Sequence, residues 1–245
     1  MNAAPQLLSF SWRSTSDSVA VHALHQRAAA TEPVGTVRAD PPEHFARHHG
    51  DLGQLVGCFR EDGTLVAYGV LALALPIVTT LATILGVDAG ALCVLDGSAV
   101  EPAWRGQRLH DAAIGERLRR AAALGRSQAA ATVAPQNIHS LRGLLRAGFE
   151  VRRFVVLYGG LPRFVVYRPI HADPVGPHFQ GHLNSMGRAA QPRDALDTSL
   201  ELGDLAAHQA ALGAGLVGYA CRQDAAGGWR IDYRPARHGN RFTGC

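Results

Sequence analysis

Residues 65–87, "LVAYGVLALALPIVTTLATILGV", carry no charged side chain over a length sufficient to cross a bilayer. Such a segment either spans a membrane or lies at the centre of a soluble core. Its surroundings favour the core. It follows "CFREDGT", where Glu61-Asp62-Gly63 reads as a tight turn between two antiparallel strands, and it is broken by Pro76 and three threonines. The expectation is a hairpin strand followed by a buried loop or short helix, with no membrane association.

Hydrophobic periodicity and breaker residues place the other elements around that hairpin. Residues 6–12 read as a strand, and 16–30 as a helix capped by Ser16 or Asp17 with Val19, Leu24 and Ala28 on its apolar side. Residues 41–50 read as a short helix opened by proline and closed by Gly50, before the hairpin of Leu55–Arg60 with Leu65–Leu75. A buried strand at 91–100 is followed by a helix over Leu109–Leu124, a strand over Gln128–Val133 and a helix over Ile138–Ala147. A hairpin of Phe149–Leu157 with Arg163–Arg168 comes last. This order predicts an α/β (α+β) sandwich with a mixed sheet. Residues 171–194, rich in Pro, Gly and His, read as a linker. The remainder reads as a small β-α-β-β extension with a helix capped by Asp204. The expected organisation is a main domain over 1–170, a linker over 171–194 and the extension over 195–245.

Several function classes drop out on composition. All 24 basic residues are arginine, which excludes a P-loop lysine, a Schiff-base lysine and a protein-kinase ATP lysine. The arginines are dispersed without interleaved aromatics, so no nucleic-acid partner is expected despite a net charge of +4. Cys58, Cys93, Cys221 and Cys245 form no C-x-x-C pair, so neither a zinc site nor a disulfide framework is indicated. His44 and His48 stand at i, i+4 with His49 adjacent, but no glutamate lies between them as in a zincin. His48 and His49, near a helix end, read as surface residues favoured by its dipole, and no metal is expected. Ser98 in "DGSAV" lacks the glycines of a nucleophile elbow. The amino-terminal stretch has no basic start and apolar run of a secretion signal, so a cytoplasmic location is expected.

The chemistry-bearing stretch is "EPAWRGQRLHDAAIGERLRRAA", residues 101–122: a strand end, a basic loop and a helix start. Free N–H groups and the helix dipole make such a junction an anion site, to which Arg105 and Arg108 add charge. Taken alone, Arg105-Gly106 is equally readable as a solvated turn.

In context the chain resembles the GNAT superfamily of acyl-CoA-dependent N-acyltransferases. Val100-Glu101-Pro102 is similar to the family's V-x-P strand end, and "RGQRLH", Arg105–His110, stands where its pyrophosphate-binding loop does. "NIHSLRGLLRAGF" supplies Asn137, Ser140, Gly148 and Phe149 at the family's spacing. The resemblance covers about residues 6–170 and implies a largely antiparallel central sheet flanked by helices. It also implies acetyl-CoA or another acyl-CoA as co-substrate, direct attack by an amine, and a small-molecule or protein amine as acceptor. The cofactor would be held by Ala99, Val100, Arg105, Gly106, Gln107, Arg108, Leu109, His110 and Asn137, with pantetheine along Ala99–Val100. Two departures stand out. Arg108 and His110 replace both loop glycines, and Leu144 occupies the place of the tyrosine that serves as a general acid. These departures motivate a rival expectation, a GNAT-fold sensor or scaffold that binds acyl-CoA without turnover.

For catalysis, Ser140 lies one turn before Leu144 and either reaches the departing sulfur or is an ordinary small residue at a helix start. Asp96 sits in an otherwise apolar strand, where burial would raise its pKa toward that of a general base; the alternative is a structural hydrogen bond at a bulge beside Gly97. Glu101, five residues on, would face the other side of a regular strand, toward a solvated loop. The extension is expected to complete the acceptor pocket or to form a homodimer interface.

Overall fold

The computed structural model describes residues 9–170 and 197–236, so the 171–194 linker and Cys245 lie outside the described residues. Ten strands form one sheet among these residues, in the order β1-β2-β3-β4-β5-β7-β6-β9-β10-β8. The strands are β1 Phe10–Ser14, β2 Gly53–Arg60, β3 Leu65–Ala72, β4 Leu92–Val100, β5 Gln128–Val133, β6 Glu150–Leu157, β7 Leu161–Pro169, β8 Thr198–Glu201, β9 Leu216–Gln223 and β10 Trp229–Pro235. Among the described residues β4 and β5 make the one parallel ladder; the other pairings are antiparallel.

The uncharged segment is β3 followed by α3 (Pro76–Leu85). Pro76 sits at the start of that helix, where its missing N–H costs nothing, and Gly86 closes it at φ 66°. Val78, Leu81, Ala82 and Leu85 pack against Val94, Ala130 and Val165 of the sheet. No helix among the described residues is long and apolar enough to cross a membrane.

Helices α1 (Ser18–Ala29) and α2 (Pro42–Ala46) cover the same face as α3, through Val21, Leu24, Ala28 and Phe45 on Leu55, Tyr68 and Val70. Asp17 caps α1 by accepting from the Ala20 N–H at 2.8 Å. Val19 is not on the apolar side as expected: it is 74% exposed, because the inward stripe is Val21, Leu24, His25 and Ala28, with a histidine where the pattern asks for an apolar residue.

On the opposite face α4 (Leu109–Ala123), α5 (Ile138–Arg146) and α6 (Leu205–Gly213) share one core with Leu71, Leu95, Ala131 and Val166. The carboxy-terminal strands continue the sheet rather than forming a second one. Gly218 of β9 pairs with Val151 of β6, and Arg234 forms an ion pair with Glu150 at 2.9 Å.

Candidate active site

The site begins where two neighbouring strands part. β4 and β5 pair only over Leu92–Val94 with Gln128–Ala130, although β4 runs on to Val100 and β5 to Val133. Beyond Val94 the other edge of β4 stays paired with β3 as far as Val100. β4 also carries one extra residue there: Leu95 faces Leu71 and Ser98 faces Gly69, so three steps on β4 match two on β3, with Gly97 at φ 116°. A bulge of this kind bends its strand and increases the local twist. A cleft of about 740 Å³, its open mouth included, lies in the opening between Leu95–Ser98 and Ala131–Ala134.

The start of α4 borders this cleft. Ala112 N–H is the first to reach back, to Arg108 O at 3.0 Å, and no side chain caps the helix, so the N–H groups of Leu109–Asp111 precede its first internal bond. Gly106 makes the turn at φ 82° and Arg108 is itself left-handed at φ 57°, a conformation that suits glycine and costs arginine about 1 kcal/mol. The two loop arginines are used differently. Arg105 ties the loop to the end of α1, pairing with Glu32 at 3.1 Å and donating to Thr31 Oγ1 at 2.9 Å. Arg108 and Gln107 are exposed, and among the described residues Arg108 has only a loose 3.6 Å contact to Asp111. His110 turns inward against α5, and burial followed by the Arg117 charge lowers its pKa to about 4.

Asn137 is the N-cap of α5: its Oδ1 accepts from the Ser140 N–H at 3.1 Å, leaving its amide nitrogen for other partners. Asn137, Ser140, Leu144 and His110 all line the cleft. Ala99 and Val100 lie on β4 beyond the bulge, facing Tyr68 and Ala67 of β3.

The carboxylates depart from expectation in two ways. Because of the extra residue at the bulge, Asp96 and Glu101 point to the same face: Asp96 meets His44 and His48 beside α2, and Glu101 pairs with Arg27 of α1 at 2.7 Å. Burial would raise the Asp96 pKa, but His48, Arg38 and His44 together outweigh it and hold the group below its ordinary value. His44 and His48 are not on the surface. They are 4% and 0% exposed, because α2 seats Phe45 in the core, and both His44 on α2 and His48 just past its end turn toward Asp96 of β4. His49 is exposed, as expected.

Other cleft groups escaped sequence reasoning. His25 bridges Tyr68 Oη at 2.8 Å and the Arg38 carbonyl at 3.0 Å, and burial lowers its pKa. Asp40 holds Arg38 Nε. Tyr158 adopts φ 53°, outside the range usual for a non-glycine residue, and its hydroxyl lies 3.1 Å from Thr132 Oγ1 on β5. Burial raises its pKa, so it stays protonated at neutral pH. Arg38 lies 4.3 Å above its ring. Only Tyr158 left a trace in the sequence, an aromatic before Gly159-Gly160 at a strand end. The rest come together through contacts between distant segments.

No protein-family model matches the sequence, and neither does any curated protein. Solved structures do. A GNAT superfamily phosphinothricin acetyltransferase from Sinorhizobium meliloti, in complex with acetyl-CoA, matches at 18% identity and TM-score 0.50, covering 66% of this chain and 88% of its own. An N-acetyltransferase from Staphylococcus aureus matches at 14% identity and TM-score 0.51, over 66% and 99%. The yncA protein of Salmonella typhimurium, with its cofactor acetyl-CoA, matches at 16% identity and TM-score 0.50, over 68% and 98%. The chain has the GNAT acetyltransferase fold. Identity this low carries the fold and leaves chemistry to the residues present. In this GNAT fold Leu144 is 4% exposed within the core and has no proton to give.

Proposed function

We propose that the chain is an N-acyltransferase that moves an acetyl or other acyl group from acyl-CoA to an amine by direct attack. The opening between β4 and β5 beside the uncapped start of α4 carries this reading: it offers free strand-edge amides to pantetheine and a positive helix end to diphosphate. Gln107, Arg108 and the N–H groups of Leu109 and His110 would meet the diphosphate, with Gly106 permitting the turn and Arg105 bracing the loop through Glu32. Ala99, Val100 and the Asn137 amide would hold the pantetheine arm.

The amine nitrogen attacks the thioester carbonyl carbon, the C–S bond breaks, and one proton moves from nitrogen to the departing thiolate. Holding both reactants in the cleft supplies much of the rate. Asp40 lines the cleft as a carboxylate suited to an ammonium and to the proton it sheds, and Asp96 beside it adds negative charge that attracts the ammonium. Glu101, held by Arg27, braces α1 in this reading. The protonated hydroxyl of Tyr158 is the better donor to sulfur; Ser140 is the second group within the same cleft.

A second reading is favoured by two observations. Leu144 fills the place of the family's acid, and Asp96 is held acidic rather than basic, which suits an acyl-CoA sensor without turnover. One experiment separates the two. Calorimetry with acetyl-CoA and CoA, followed by thiol release assays against a panel of small amines, amino acids and peptide amines, should show saturable binding and amine-dependent thiol. Binding without thiol across the panel supports the sensor. No binding sinks both.

A further inference from the structure

We propose that His44, His48 and Asp96 form a site for one divalent transition-metal ion of the zinc type, tying α2 to β4 behind the cleft. His44 lies on α2 and His48 two residues past its end, and the chain brings their rings together edge-on with centroids 4.8 Å apart. His44 Nε2 lies 3.9 Å from Asp96 Oδ2, and His48 Nε2 lies 3.6 Å from the same oxygen. One donor atom from each of the three residues lies within 4.8 Å of the others. A tetrahedral zinc ion, with bonds of about 2.0–2.1 Å, sets its ligand atoms about 3.3 Å apart, so the legs to the carboxylate are nearly closed already.

Hydrogen bonding supplies an independent reason for a cation here. His48 Nδ1 donates to the His44 carbonyl at 2.6 Å, and a carbonyl can only accept, so the proton of a neutral His48 is on Nδ1. Its Nε2 then faces Asp96 Oδ2 at 3.6 Å, and neither atom has a hydrogen-bond partner although both are buried, so the pair is attractive only with a positive centre, a second proton on His48 or a metal ion. Two lone pairs opposed in a dry interior are costly, and a positive centre between them removes the cost. The surrounding contacts match the outer shell of a metal site: the carbonyl orients His48, and Arg38 Nη2 donates to the other oxygen, Asp96 Oδ1, at 3.3 Å. The same Nη2 lies 3.4 Å from His44 Nε2, a contact the ion displaces while Arg38 keeps Asp40 and the Tyr158 ring. The exposed Arg47, 3.0 Å from His44 Nδ1, turns aside so that this nitrogen presents its proton toward Asp40. Two imidazoles and one carboxylate suit zinc or its first-row neighbours rather than calcium or magnesium, which take oxygen. The site stands whether or not the chain transfers acyl groups.

The test uses the full chain after chelator treatment, titrated with zinc and separately with cobalt(II). One equivalent of zinc should bind saturably and raise the melting temperature. Cobalt should give visible bands of nitrogen and oxygen ligation without thiolate charge transfer. H48Q and D96N should each weaken binding at least about tenfold. Absence of saturable uptake near one equivalent, thiolate bands from a cysteine, or wild-type affinity in a folded H44Q/H48Q protein would overturn the site. If that double variant does not fold, the wild-type stoichiometry and cobalt spectrum decide.

Discussion

Arg117 Nη1 donates a 3.0 Å hydrogen bond to the carbonyl of Gly97, joining the middle of α4 to the bulge in β4. Arg117 is 2% exposed, and its other partners are the carbonyls of Ala113 and Val70; among the described residues it has no ion pair. Gly69 makes room for it, since a Cβ there would come within 2.8 Å of Arg117 Nε. Burial lowers the Arg117 pKa to about 10, and the group remains charged at neutral pH. The parting of the strands is thus braced by a buried cation set on carbonyls.

Replacing Arg117 with Met should therefore destabilise the chain by about 2–3 kcal/mol, because three carbonyls lose a shared donor while the aliphatic stem is kept. Urea unfolding measures this. A midpoint equal to wild type would show that the brace is dispensable.

The loop arginines should separate in a titration with CoA. Arg108→Gly should raise stability by about 1 kcal/mol by relieving the left-handed backbone, while weakening CoA binding through loss of charge at the diphosphate. Arg105→Ala should also weaken binding, by freeing the loop from Glu32, but with a smaller dependence on salt. Calorimetry at two ionic strengths reads both. Undiminished affinity in the two variants would place the phosphate site elsewhere.

Tyr158→Phe should lower kcat by about a hundredfold with little change in KM for acyl-CoA, and should remove the alkaline limb of the pH–rate profile. A fall confined to KM would make Tyr158 a binding residue. Ser140→Ala provides the comparison and should cost less.

Stability should fall as the solution is acidified from about pH 6.5 toward pH 4. His110, His25 and His208 all have pKa values lowered by burial, His110 to about 4. A histidine lowered in the folded state takes up protons more readily when unfolded, so its contribution is complete above 6.5 and is lost on the way down. Unfolding free energies across that window should show a positive slope with pH, and His110→Gln should flatten it. A flat wild-type profile would contradict the burial of these rings.

Gly143→Ala should separate α4 from α5. Its Cβ would lie 2.9 Å from His110 Nδ1 and 3.2 Å from Asp111 Oδ1, so the start of α4 must shift to admit it. A loss of about 1–3 kcal/mol is expected, with weaker CoA binding because the start of α4 moves. Unchanged stability and affinity would show that the helix pair tolerates the displacement.

Much of the fold was legible because its signals are local. Asp17, Asn137 and Asp204 cap helices α1, α5 and α6, Gly63 and Gly86 close turns at positive φ, and the 65–87 segment resolves into strand and helix at Pro76. A bulge beside Gly97 is only one of two readings that the sequence of β4 allows. Its effect on parity could not be read, because one extra residue reverses the direction of every side chain beyond it. That is why Glu101 shares a face with Asp96.

What the amino-acid order determined alone is the succession of elements, the buried hairpin and a basic turn into a helix, since each depends on neighbours within a few residues. What the tertiary structure decided is where charge resides. It lowered the pKa of Asp96 by bringing His44, His48 and Arg38 to it from elements far away in sequence, and it set Tyr158 against Thr132 at the strand opening. A pKa answers to every charge and dipole within a few ångströms, and those neighbours exist only once the chain has closed on itself.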